Sequence, residues 1–238
     1  ALMDAIDHAS WSNGIETKTT WIQAEKLEKG DMKDLEGVDG IIVPIGWGAR
    51  GVEGKIKAIE YARTNKVPYF GLCYGMQLAV VEYARNVLGL AGAHTVECDA
   101  DTAHPVIHMI SGQDEILKRR AYGGTMRLGR WECRVKAGTI SDESYVQYAG
   151  FTDSDKKIVG ERHRHRYEFN DAYAEKIEKA GMVIAGRSVV ENLVEIVELP
   201  KSVHPFFIGT QYHPEYRSRP LEPHPLFLSF LRACAEAK

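Results

Sequence analysis

The chain has 238 residues, of which 44% are hydrophobic and 26% charged, with a formal net charge of −3. That length buries a full core and suits one large α/β domain, while the ordinary apolar fraction and small net charge exclude a disordered chain and a general nucleic-acid binder. No charge-free run approaches the roughly 20 residues of a membrane helix, and Asp4, Asp7 and His8 rule out a signal peptide at the start.

Residues 1–9 have helical periodicity with no strand ahead of them. A doubly wound domain normally opens with a strand, so one is expected to precede this helix. Residues 38–43 (VDGIIV) read as a buried parallel strand, closed by Pro44 and glycines. Residues 52–65 place Ile56, Ile59 and Ala62 at helical spacing. Residues 67–72 (VPYFGL) are the next strand and 76–88 the next helix. This rhythm predicts an α/β fold with a doubly wound, mostly parallel sheet, whose functional loops lie at the carboxyl ends of the strands.

Between 106 and 167 the pattern changes. Gly123, Gly124, Gly129 and Gly138 interrupt short segments such as 125–128 and 132–136, which predicts an added antiparallel region of strands and hairpins. A helix is predicted over 171–179 with Asp171 near its cap, paired strands over 182–186 and 192–197, a last strand over 206–211 and a closing helix over 225–235. The whole of 1–238 reads as one domain. Four cysteines, at 73, 98, 133 and 234, make no CxxC pair, which fits free thiols in a reducing, cytoplasmic setting.

Gly71-Leu72-Cys73-Tyr74-Gly75 is the sharpest feature. A nucleophile on a strand-to-helix turn needs small neighbours on both sides, and the turn aims its thiol at a helix N-terminus that favours thiolate. The N–H of Tyr74 then faces a developing oxyanion. The competing reading is a buried cysteine between chance glycines. A cysteine nucleophile needs a base and the base an orienter. In Gln211-Tyr212-His213-Pro214-Glu215 the His and Glu are two apart after an apolar strand, so Glu215 can orient His213 towards Cys73.

The glycines of 44–51 (PIGWGARG) allow backbone amides to face a substrate, and the loop lacks the G-K-[ST] ending of a phosphate loop. In 161–168 (ERHRHRYE) the arginines share one face of a strand and the histidines the other. Metal ligation by His163 and His165 finds no third ligand at suitable spacing. One arginine holding an α-carboxylate, with Glu97 on the ammonium of the same amino acid, is the more natural use. Cys, His and Glu together indicate acyl transfer without naming the acyl group.

At these residues the sequence resembles the class I (triad-type) glutamine amidotransferases, and more narrowly the glutaminase domains of CTP synthases. The resemblance rests on GLCYGMQ and QYHPE, with RGVEGK (50–55), GGTMRLG (123–129), ERHRHRYE and EYRSRP (215–220), and covers nearly the whole chain. It implies that Cys73 attacks the side-chain amide of L-glutamine while His213 shuttles protons and Glu215 orients it. It further implies an oxyanion hole from the amides of Gly46 and Tyr74, and substrate contacts from Trp47, Gln77, Glu97 and Arg166. Arg50, Gly51 and Glu53 fall in a lid loop associated with activation by GTP. No metal or cofactor is implied for this domain. ATP, UTP, Mg2+ and GTP belong to the whole enzyme, a homo-oligomer in which an N-terminal synthetase domain, absent from this sequence, uses the ammonia. No nucleic-acid or membrane partner is implied.

Ile45 stands where the family has glycine, which restricts the peptide flip that forms the oxyanion hole. Two other readings stand beside this one: a γ-glutamyl hydrolase or peptidase on the same scaffold, and a non-catalytic regulatory module.

Overall fold

Tyr69, Phe70, Gly71 and Leu72 are all buried, and their side chains alternate between two cores. Tyr69 faces one and Phe70 and Leu72 the other, as the two-residue period of a strand requires. The computed structural model of the chain describes residues 1–110 and 126–237. Gly123, Gly124 and Thr125, at the head of the GGTMRLG run, lie outside the described residues.

Helices α1 (Leu2–Asn13) and α2 (Ala24–Glu28) come first. Then follow β1 (Ile41–Val43), α3 (Val52–Asn65), β2 (Tyr69–Leu72) and α4 (Tyr74–Asn86). The middle holds β3 (His94–Thr95), β4 (Pro105–Met109), β5 (Arg127–Val135), α5 (Ile140–Gln147), β6 (Ile158–His165) and β7 (Tyr167–Phe169). Helix α6 (Ala174–Lys179), β8 (Val183–Ser188), β9 (Val194–Glu198), β10 (Phe207–Thr210) and α7 (Pro225–Glu236) complete the chain.

The main sheet has the order β1-β2-β10-β9-β8-β5-β6. Strands β1, β2 and β10 pair in parallel; every later pairing is antiparallel. Because the antiparallel pairings alternate, β1, β2, β10, β8 and β6 point one way and only β9 and β5 the other. The added antiparallel region thus continues the same sheet. A second sheet, β3-β4-β7, flanks it. The sequence opens directly in α1, and among the described residues β1 is the edge of the main sheet.

One core packs α3 and α4 on the sheet through Ile56, Ile59, Leu78 and Tyr69. The other packs α1 and α7 against the opposite face through Ile6, Phe70, Phe227 and Phe230. Phe70 is its centre, with ring centroids 5.1 Å from Phe227 and 6.1 Å from Phe206. Between α3 and α4, Arg63 forks onto the fully buried Glu82, with Nη2 to Oε1 at 2.6 Å and Nε to Oε2 at 2.9 Å.

Two local expectations change. Helix α5 interrupts the region read as strands and hairpins; the Thr139 hydroxyl caps it by accepting from the Asp142 N–H at 3.1 Å. The helix predicted from Asp171 starts as a 3₁₀ turn over Asp171–Tyr173 capped by Asn170, and becomes α-helical at Ala174.

Candidate active site

Cys73 lies between the end of β2 and the start of α4 with φ 53° and ψ −96°, a conformation that side chains with a Cβ rarely adopt. Its N–H donates to the Thr210 carbonyl at 2.7 Å, tying the elbow to the end of β10, the parallel neighbour of β2. The turn closes only over glycines. A Cβ on Gly75 would lie 2.0 Å from the Val43 oxygen, and one on Gly71 2.7 Å from the Tyr69 hydroxyl. That hydroxyl donates to the Gly75 carbonyl at 2.9 Å, so the strand braces its own elbow.

His213 and Glu215 follow β10. Both are buried, and His213 Nδ1 lies 2.7 Å from Glu215 Oε1. A proton on Nδ1 would satisfy that carboxylate and leave the Nε2 lone pair exposed. Among the described residues Nε2 has no hydrogen-bond partner and is open to accept a proton. Tyr216 stacks on the imidazole with centroids 4.8 Å apart and planes 12° apart, which fixes the ring from its face.

Burial, then the Glu215 charge, push the Cys73 thiol up to about 12; the Tyr74 N–H and the Gln211 amide oppose them. Burial therefore keeps the thiol neutral at ordinary pH.

The 44–51 loop runs beside the elbow. Gly46 lies against Tyr74 and Lys55: a Cβ there would be 3.0 Å from the Tyr74 ring and 3.3 Å from Lys55 Nζ. The positive-φ positions of the loop are Gly48 and Gly51, so Ile45 occupies ordinary backbone. Two bonds hold Gly48. Gly48 N–H donates to Glu97 Oε1 at 3.1 Å, and the Tyr74 hydroxyl donates to the Gly48 carbonyl at 2.6 Å. Burial pushes the Glu97 carboxyl up, opposed by that Gly48 bond and by the charge of Arg166. Glu97 and Arg166, separated by most of the middle region, thus share one electrostatic environment. Gln77 is buried on α4 and donates to the Tyr167 carbonyl at 2.9 Å. Trp47 is 75% exposed on the loop.

The residues expected in a lid loop, Arg50, Gly51 and Glu53, have partners of their own. Arg50 Nε donates to Glu25 Oε1 at 2.6 Å, and Gly51 caps α3. Glu53 turns to α4 and β3, with Oε2 2.8 Å from Arg85 Nη1 and Oε1 3.7 Å from His94 Nε2.

The histidines of ERHRHRYE face inward and Arg162 and Arg164 outward. His163 Nδ1 is 3.1 Å from both Arg127 Nη1 and His165 Nε2, and Arg127 pairs with the buried Glu195. Burial lowers both histidines, His165 to about 3, so they are neutral polar links. Among the described residues no group of three or more His, Cys, Asp or Glu is placed to hold a metal ion. Sequence reasoning missed Gln211 and Tyr216. Both lie within or beside the QYHPE motif, and the i, i+2 spacing of Gln211 and His213 was the available signal.

Residues 2–233 match the glutamine amidotransferase class-I family. The chain is 48% identical to the CTP synthase of Caldanaerobacter subterraneus subsp. tengcongensis and 47% identical to that of Pyrococcus furiosus. Each alignment covers all of this chain and 42% of the relative, so the chain spans less than half the length of these relatives. A solved structure of the Trypanosoma brucei CTP synthase glutaminase domain with bound acivicin superposes with a TM-score of 0.85 at 35% identity, over 99% of this chain and 87% of that one. The chain belongs to the class-I glutamine amidotransferase family and, within it, to the glutaminase domains of CTP synthases.

Proposed function

We propose that this chain hydrolyses L-glutamine to L-glutamate and ammonia through a thioester on Cys73. The observation that carries the reading is the buried His213–Glu215 pair at the end of β10, beside the Cys73 elbow at the end of the adjacent parallel strand. His213 Nε2 takes the thiol proton, and the sulfur attacks the side-chain amide carbon. The resulting oxyanion is met by the N–H groups of Tyr74 and Gly46. When the C–N bond breaks, ammonia leaves with the proton from His213. Water then gives a proton to Nε2 and adds to the thioester; glutamate departs and the proton returns to sulfur.

Glu97 and Arg166 bind the ammonium and α-carboxylate of the substrate. Gln77 and Trp47 also contact the substrate. Arg50, Gly51 and Glu53 carry the response to GTP through the lid loop. In the whole enzyme, a homo-oligomer, ammonia passes to an N-terminal synthetase domain that aminates UTP to CTP using ATP and Mg2+. Residues 1–238 act as the single glutaminase unit of that assembly, in the cytoplasm. Among the described residues no helix is long and apolar enough to cross a membrane.

The test is intact-mass measurement after incubation with acivicin, followed by peptide mapping. A single adduct on Cys73 that excess L-glutamine prevents is the expected result. An adduct elsewhere, or one indifferent to glutamine, overturns the reading.

A further inference from the structure

Gln77 on α4 and Gln211 just beyond β10 are 3% and 1% exposed. A side-chain amide has one accepting end and one donating end, and which end faces which neighbour is settled by a group of fixed character. The Tyr167 carbonyl is such a group. It only accepts, and Gln77 Nε2 lies 2.9 Å from it. The same nitrogen lies 3.1 Å from Gln211 Oε1 and supplies its second hydrogen there. Gln211 then presents its own nitrogen on the far side, and Gln211 Nε2 lies 3.5 Å from Cys73 Sγ. Turning either amide over would set acceptor against acceptor or donor against donor in a buried space.

We propose that Gln211 is a further catalytic residue of the glutaminase reaction: its side-chain N–H donates to the Cys73 sulfur and stabilises the thiolate, while Gln77 and the Tyr167 carbonyl keep that donor turned towards it. The inference rests on Cys73 being the nucleophile. Its chemical need is visible in the surroundings, where burial and the Glu215 charge disfavour an anionic sulfur. His213 removes the proton, and Gln211, two residues earlier, holds the anion left behind. The same bond serves twice, because the sulfur is again anionic when it leaves the thioester.

The rate at which iodoacetamide alkylates Cys73, followed by peptide mass across neutral to mildly alkaline pH, tests the proposal. Only thiolate reacts, so below the midpoint the vertical offset between two proteins reads the difference in thiol pKa. Gln211→Met is expected to react about tenfold more slowly than wild type throughout that range. Gln211→Glu is expected to be slower still, since a carboxylate there repels the thiolate. Gln77→Met is expected to give a smaller slowing, because it only releases the donor. Protection by L-glutamine, measured on each protein, is expected to persist in Gln211→Met.

Gln211→Met reacting at the wild-type rate overturns the proposal, as does Gln211→Glu reacting faster than Gln211→Met. Slow alkylation with glutamine protection lost makes Gln211 a packing residue and also overturns it. Should neither variant at 211 fold, Gln77→Met decides, and an unshifted line rejects the proposal. Wild-type alkylation indifferent to glutamine instead defeats the glutaminase reading itself.

Discussion

The three parallel strands and the antiparallel strands beside them divide polar residues in opposite ways. Ile41–Val43, Tyr69–Leu72 and Phe207–Thr210 contain no ionisable side chain except the Tyr69 phenol. The antiparallel region, from β5 through β7 to β9, buries Arg127, Glu161, His163, His165, Glu168 and Glu195. Yet the proposed nucleophile and base stand at the ends of the apolar strands. A platform free of charged side chains holds the strained elbow in place, and the groups that act on Cys73 most directly, Glu215, Tyr74 and Gln211, come from the same strand ends.

The sharpest way to break this division is Cys73→Ala. Glutamine hydrolysis should fall by about 10⁶-fold while the thermal midpoint stays near wild type. Retained hydrolysis would move the chemistry off the parallel strands. Next in size is Glu215→Gln, which leaves the imidazole in place and disturbs its tautomer; a fall of roughly 10²- to 10⁴-fold in kcat is expected. An unchanged kcat would show that Tyr216 stacking alone positions the ring.

Two stability measurements contrast the regions themselves. Phe70→Ala removes the ring at the meeting point of Phe206, Phe227 and Phe230 and should cost about 3–5 kcal/mol. Urea unfolding should show the same loss at acid and neutral pH, since no charge is involved. Glu168→Gln should act through pH instead. Burial raises Glu168 from an ordinary 4.5 to about 7 in the folded chain. The unfolded chain ionises this group from pH 4.5 upward while the folded chain retains its proton until near pH 7, so wild-type stability falls across that window. Glu168→Gln should flatten the fall, gaining on wild type by on the order of 1–3 kcal/mol at neutral pH relative to pH 4.5. Parallel pH profiles for the two proteins would remove Glu168 from the account.

The same division explains what was legible in the sequence. The elbow with its flanking glycines, and separately the His213–Glu215 pair, are each local in the chain, and local spacing suffices to read them. The apolar strands 38–43, 67–72 and 206–211 were readable because burial on both faces leaves continuous hydrophobic runs. The antiparallel strands were readable as strands too, but their buried polar residues were not, because these become intelligible only through partners far away. Arg127 and Glu195 are 68 residues apart, and the same holds at the site itself, where Gly48 and Glu97 are 49 apart and Gln77 and Gln211 134. Helix α5 is a different failure. Thr139 followed by Asp142 is an N-cap signal, but Gly138 beside it suggested another hairpin turn.

The bond from the Gly48 N–H to Glu97 has a further consequence. In the proposed function Glu97 is also the acceptor for the substrate's ammonium, so loop and glutamine draw on one carboxylate. Whatever draws the loop off Glu97 then raises the affinity for glutamine, and glutamine loosens the loop by the same factor. In that reading the Gly48–Glu97 hydrogen bond gives the 44–51 loop a thermodynamic handle on glutamine binding, and the two effects must be equal in size.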